Sequence, residues 1–128
     1  MAKKILIIED EESLRKILGE RLKEEGYDVA VSKDGKEGLA KALNWHPDLM
    51  LVDIVMPVMD GVEMIKELQK DRWGKEAKIL LLTNLSDPVK MAKITSELNE
   101  SMSVYDYLVK SDWDLAKIAE KIKKKLDD

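Results

Sequence analysis

Five short apolar runs recur along the 128 residues, and each gives way to polar residues and then to a stretch of different periodicity. Ile5–Ile8, Leu49–Val52 and Ile79–Leu82 are unbroken, whereas Tyr27–Val31 alternates and Val104–Val109 carries Asp106. From Ser13 onward Leu14, Ile17, Leu18 and Leu22 take helical spacing, as do Leu39, Ala42 and Leu43 after Asp34-Gly35. Val62, Ile65 and Leu68 mark a third helix that ends near Trp73-Gly74, and Asp87-Pro88 opens a fourth. A last helix, capped by Ser111-Asp112, carries Leu115, Ile118, Ala119, Ile122 and Leu126. Five strands alternating with five helices predict an α/β domain built on a parallel sheet. Unbroken apolar strands suit the interior of a sheet covered on both faces, and the two interrupted ones suit its edges. Right-handed crossovers then give the order 2-1-3-4-5, a doubly wound (βα)5 three-layer sandwich.

Charge and composition exclude several functions. With 22 Lys and Arg against 26 Asp and Glu the net charge is −4, and no basic arm suggests nucleic-acid binding. Lys121–Lys125 reads as the solvated last turns of a helix, where cations favour the dipole. No cysteine is present, so disulfides, thiol nucleophiles and thiolate metal sites are excluded. His46, the single histidine, precedes Pro47 in a helix-to-strand connection and reads as a surface residue. The opening Ala2-Lys3-Lys4 and its short apolar strand are too brief for a signal peptide, and nothing approaches a membrane span. A cytoplasmic chain is expected, with one domain over residues 1–128, no linker and no output domain.

The chemistry collects at the carboxyl ends of the strands. In an open parallel sheet ligands bind there, where the strand order reverses, here between strands 1 and 3. Strand 1 ends on Glu9 and Asp10, strand 3 on Asp53, strand 4 on Thr83 and strand 5 on Lys110. After Asp53, Pro57 and Asp60-Gly61 stop the strand and announce a turn. Three carboxylates in one mouth repel one another and call for a cation. An all-oxygen donor set selects a hard ion such as Mg²⁺, which takes one or two carboxylates, waters and a phosphate. Beside such an ion Asp53 can attack a phosphoryl group. Lys110 and the Thr83 hydroxyl would offset the charge on its oxygens.

In these residues the chain resembles the receiver domain of two-component response regulators, close to the single-domain chemotaxis type. The resemblance rests on Ile-Leu-Ile-Ile-Glu-Asp-Glu at 5–11 and on the run from Pro47 to Gly61 that holds Asp53. It extends to Ile-Leu-Leu-Leu-Thr at 79–83 and Asp-Tyr-Leu-Val-Lys at 106–110. It implies a flavodoxin-like fold and Asp53 as phosphoacceptor. It also implies that Asp10, Asp53 and the Val55 backbone carbonyl hold Mg²⁺, with Glu9 assisting through a metal-bound water. Thr83 and Lys110 would contact the phosphoryl group, and Tyr107 would change position with Thr83. The implied function is Mg²⁺-dependent phosphotransfer from a histidine kinase or phosphotransfer protein. A downstream partner or separate output domain then reads the face formed by the fourth helix, fifth strand and last helix. Such a chain is a signalling domain rather than an enzyme, a monomer or a phosphorylation-dependent dimer.

Departures from the family pattern bear on this. Ser111 follows Lys110 where a proline with a cis bond is usual; without Pro a cis bond costs about 2.5–4 kcal/mol, so a trans bond is expected. Asn84 replaces a small residue beside Thr83 and narrows access to the phosphoryl group. Val55 cannot orient an attacking water with its side chain, which predicts slow self-dephosphorylation. Ser96–Ser103 lengthens the connection on the signalling face, so partner choice does not carry over. The competing class is a pseudo-receiver that binds partners constitutively without phosphorylation. A haloacid-dehalogenase-like phosphatase would need a second Asp at position 55, and a dinucleotide enzyme would need a Gly-rich loop after strand 1.

Overall fold

The computed structural model describes residues 2–54, 56, 58–83, 89, 96, 104–109 and 114–127. Its strands are β1 (Lys4–Ile8), β2 (Asp28–Ser32), β3 (Leu49–Asp53), β4 (Ile79–Thr83) and β5 (Val104–Val109). All pair in parallel, in the order β2-β1-β3-β4-β5, so the alternating and Asp-bearing strands do form the edges. The helices are α1 (Glu12–Glu24), α2 (Gly35–Trp45), α3 (Gly61–Leu68) and a C-terminal helix, Leu115–Leu126. Among the described residues no helix is long and apolar enough to cross a membrane.

Because side chains alternate along a strand, each unbroken apolar run feeds two cores at once. Leu6, Ile8, Met50, Val52, Ile79 and Leu81 pack with Ala42 of α2 and Met64, Ile65 and Leu68 of α3. The intervening Ile5, Ile7, Leu49, Leu51, Leu80 and Leu82 meet Leu18 and Leu22 of α1 and Ile118 and Ile122 of the C-terminal helix. The three-layer sandwich follows from that alternation. On edge strand β2 the ammonium of Lys41 donates to the Val31 carbonyl, occupying an acceptor that a further strand would use.

Some helical details differ from expectation. Ile17 is 47% exposed and Leu43 37%, at the margins of faces whose spacing alone turned them inward. Helix α3 ends at Leu68, short of Trp73-Gly74, because the chain folds back there: Gly74 lies against the Leu68 carbonyl and its N–H donates to Asp71 at 3.0 Å. Trp73 then stacks flat on His46, rings 4.4 Å apart and 6° from parallel; that histidine is at the surface, as expected, and serves as the C-cap of α2. The last helix is capped by Asp114, whose carboxylate accepts from the Ala116 N–H at 2.8 Å; Ser111-Asp112, expected to cap it, lie outside the described residues. The fourth helix expected at Asp87-Pro88, Asn84, the Lys110-Ser111 bond and residues 97–103 lie outside the described residues.

Candidate functional site

Register brings the acids together. Ile8 lies opposite Val52 in the β1–β3 pairing, so the next residues along, Glu9 and Asp53, emerge side by side. Glu9 extends the ladder by one bond, its N–H donating to the Ser32 carbonyl at 3.0 Å, and its side chain is buried. Asp53 is buried as the last residue of β3, while Asp10, one step beyond Glu9, is exposed. One carboxylate oxygen from each of Glu9, Asp10 and Asp53 falls within 4.8 Å of the others. At an effective dielectric near 20, each pair of charges so spaced repels by about 3 kcal/mol.

The mouth around them is held by backbone. The Arg15 guanidinium, in the first turns of α1, donates from Nη1 to the Glu9 carbonyl at 2.9 Å and to the Asp10 carbonyl at 3.4 Å. After Asp53 the Ile54 N–H donates to the Leu82 carbonyl at 3.0 Å, and the Gly61 N–H returns to the Ile54 carbonyl at 2.9 Å. Asp60 caps α3, its carboxylate accepting from the Glu63 N–H at 2.8 Å. Between these anchors Val58 takes a left-handed φ of 70° and is 76% exposed.

Asp53 pairs with Leu82, and Thr83, the next residue of β4, pairs with Val109 at the end of β5. The backbone of Thr83 therefore stands at the same mouth, while Tyr107 sits opposite Leu81, further down the edge strand. Val55 and Lys110 lie outside the described residues. Three carboxylate oxygens, two from buried residues and one from an exposed one, make a donor set that fits a hard divalent ion open to water on one side. Arg15 escaped the sequence reading; its only trace there is its place five and six residues after the acid pair.

A family model described as the response regulator receiver domain matches residues 5–123. The chain belongs to the response regulator receiver family. It is therefore a two-component signalling domain, not an enzyme of the ordinary kind. The alkaline phosphatase synthesis transcriptional regulatory protein PhoP of Bacillus subtilis (strain 168) is 36% identical over 110 residues, covering 86% of this receiver and 43% of PhoP. A probable transcriptional regulator, ycf27, of Porphyridium aerugineum is 44% identical over 84 residues, covering 66% of this chain and 34% of its own. The chain thus spans less than half the length of these relatives. Among solved structures, the chemotaxis response regulator CheY4 of Vibrio cholerae aligns with a TM-score of 0.86 at 28% identity, over 98% of this chain and 99% of that one. The response regulator TrrA of Thermotoga maritima, solved in complex with Mg²⁺ and BeF, aligns at 0.79 with 34% identity, over 96% of this receiver and 98% of TrrA.

Proposed function

We propose that this receiver accepts a phosphoryl group on Asp53 from a phosphohistidine of a histidine kinase or phosphotransfer protein, with Mg²⁺ held by Asp10, Asp53 and the Val55 carbonyl and assisted by Glu9. The observation that carries the reading is the meeting of the Glu9, Asp10 and Asp53 carboxylates within 4.8 Å at the end of β1 and β3. An Asp53 carboxylate oxygen attacks phosphorus; the new O–P bond forms as the P–N bond breaks, and its electron pair returns to the imidazole nitrogen. When bound, Mg²⁺ supplies positive charge against the phosphoryl oxygens. Burial of Asp53 keeps bulk water from competing as nucleophile. Thr83 and Lys110 contact the transferred group, Thr83 from the strand next to Asp53.

Phosphorylation replaces one charge by a group of nearly two, with more acceptor oxygens. Thr83 and Tyr107 answer that change on neighbouring strands, and the altered face around β5 and the C-terminal helix is read by a downstream protein partner or output domain. The test uses beryllofluoride with Mg²⁺ as a phosphoryl mimic, following backbone amide resonances of Thr83 and Val104–Val109. Shifts in the parent chain that vanish in Asp53→Ala are expected. Resonances that do not move would point instead to a receiver that docks its partners without phosphorylation.

A further inference from the structure

Arg15 is the one cation whose hydrogen bonds reach the acid-bearing loop among the described residues, and it bonds backbone rather than carboxylate: Nη1 donates to the carbonyls of Glu9 and Asp10 at 2.9 and 3.4 Å. The side chain is half-buried. These carbonyls belong to the two consecutive residues that carry two of the three clustered carboxylates. Glu9 is also tied by its N–H to Ser32, whereas Asp10 lies past the last ladder bond and at the surface. The loop that aims Asp10 therefore depends on helix α1 reaching back to it.

We propose that Arg15 is a positioning residue for the cation site, fixing the Glu9–Asp10 backbone so that both carboxylates point at Asp53. The inference rests on the reading of this cluster as a Mg²⁺ site. Two physical effects of Arg15 oppose each other there. Its backbone bonds pre-arrange the ligands, which favours a bound cation; its positive charge, held on the same two residues' carbonyls, disfavours one. Removing the side chain weakens Mg²⁺ binding if positioning dominates and strengthens it if charge dominates. The sign alone separates them. In Arg15→Lys the charge stays, but a single ammonium on a shorter stem does not reproduce the guanidinium's reach to two carbonyls.

The experiment is a Mg²⁺ titration of the full chain, followed through backbone amide shifts, for the parent, Arg15→Met, Arg15→Lys and Asp53→Asn. Thermal unfolding without Mg²⁺ is measured beside it. Positioning predicts an Mg²⁺ dissociation constant raised about tenfold in Arg15→Met and by a smaller factor in Arg15→Lys. Should Arg15→Met fail to fold, the Lys variant decides alone, because charge by itself predicts no change there. Mg²⁺ binding as tight as the parent's or tighter in the folded variants overturns the inference, even if their unfolding temperature falls. A parent that binds no Mg²⁺ overturns the proposed function and this inference together, and is told apart by the parent titration itself.

Discussion

The carbonyl oxygen of Asp53 occupies the space that a side chain at Gly61 would need. A Cβ there would overlap that oxygen and come within 3.0 Å of the Ile54 Cα. Both are backbone atoms at the candidate phosphoacceptor, so neither can step aside without moving it. Gly61→Ala is expected to destabilise the chain by about 1–3 kcal/mol or more, as overpacking does. Chemical denaturation measures it, and a loss of phosphoryl acceptance should accompany the loss of stability.

Gly38 poses a contest between two magnitudes. In a helix interior Gly→Ala gains about 1 kcal/mol in propensity. Here the new Cβ would lie 2.6 Å from Ile8 Cδ1, a fully buried side chain. Overpacking of about 1–3 kcal/mol should win, making Gly38→Ala destabilising. Ile8→Val removes that Cδ1, so in a double-mutant cycle the pair should be more stable than the two single costs predict. Additive costs would show that Cδ1 is not the cause and would leave the clash to Cγ1 and Cγ2, at 2.8 and 3.0 Å, which valine keeps.

Val58 offers the opposite case. A β-branched residue at φ 70° holds a conformation that favours Gly or Asn, and with 76% of it exposed it has little packing to lose. Val58→Asn should raise stability by about 1 kcal/mol, read as a higher unfolding midpoint. A lower midpoint would mean that the exposed valine contributes to the fold.

The strand order was legible because two core layers leave their mark on interior strands: Ile5–Ile8 or Leu49–Val52 have no polar side to show. The acid cluster was legible because parallel strands bring their carboxyl ends to one side, whatever the helices do. Helix ends were less so. Four residues, Ser111, Asp112, Trp113 and Asp114, offer three possible caps, and only the backbone geometry selects Asp114. Residues 69–73 are compatible with helix, and what stops α3 at Leu68 is the return of Gly74 and the His46–Trp73 stack, contacts distant in sequence. Arg15 was hidden for another reason. In a chain with 22 Lys and Arg, nothing marks the one that reaches back to the carbonyls of Glu9 and Asp10.

Alkaline pH should single out Tyr27. Burial first, then the nearby charges of Glu25 and Asp127, raise its phenol above the ordinary value. The folded state thus holds the phenolic proton more tightly than the unfolded chain does. That contribution is fully present below about pH 10, and is lost as pH rises from there through the folded value. Tyr27→Phe should therefore lose less stability than the parent between pH 8 and pH 11, in urea unfolding at each pH. Parallel losses in the two proteins would exclude the effect.

The central claim is that Asp53 takes up a phosphoryl group with the help of the acids beside it. Intact mass after incubation with acetyl phosphate, with Mg²⁺ present or chelated, tests it most directly, run in parallel on the parent, Asp53→Ala and Asp10→Asn. The account predicts one added phosphoryl group in the parent, dependent on Mg²⁺, absent in Asp53→Ala and strongly reduced in Asp10→Asn. An unmodified parent, or an adduct that persists in Asp53→Ala or without Mg²⁺, would contradict it.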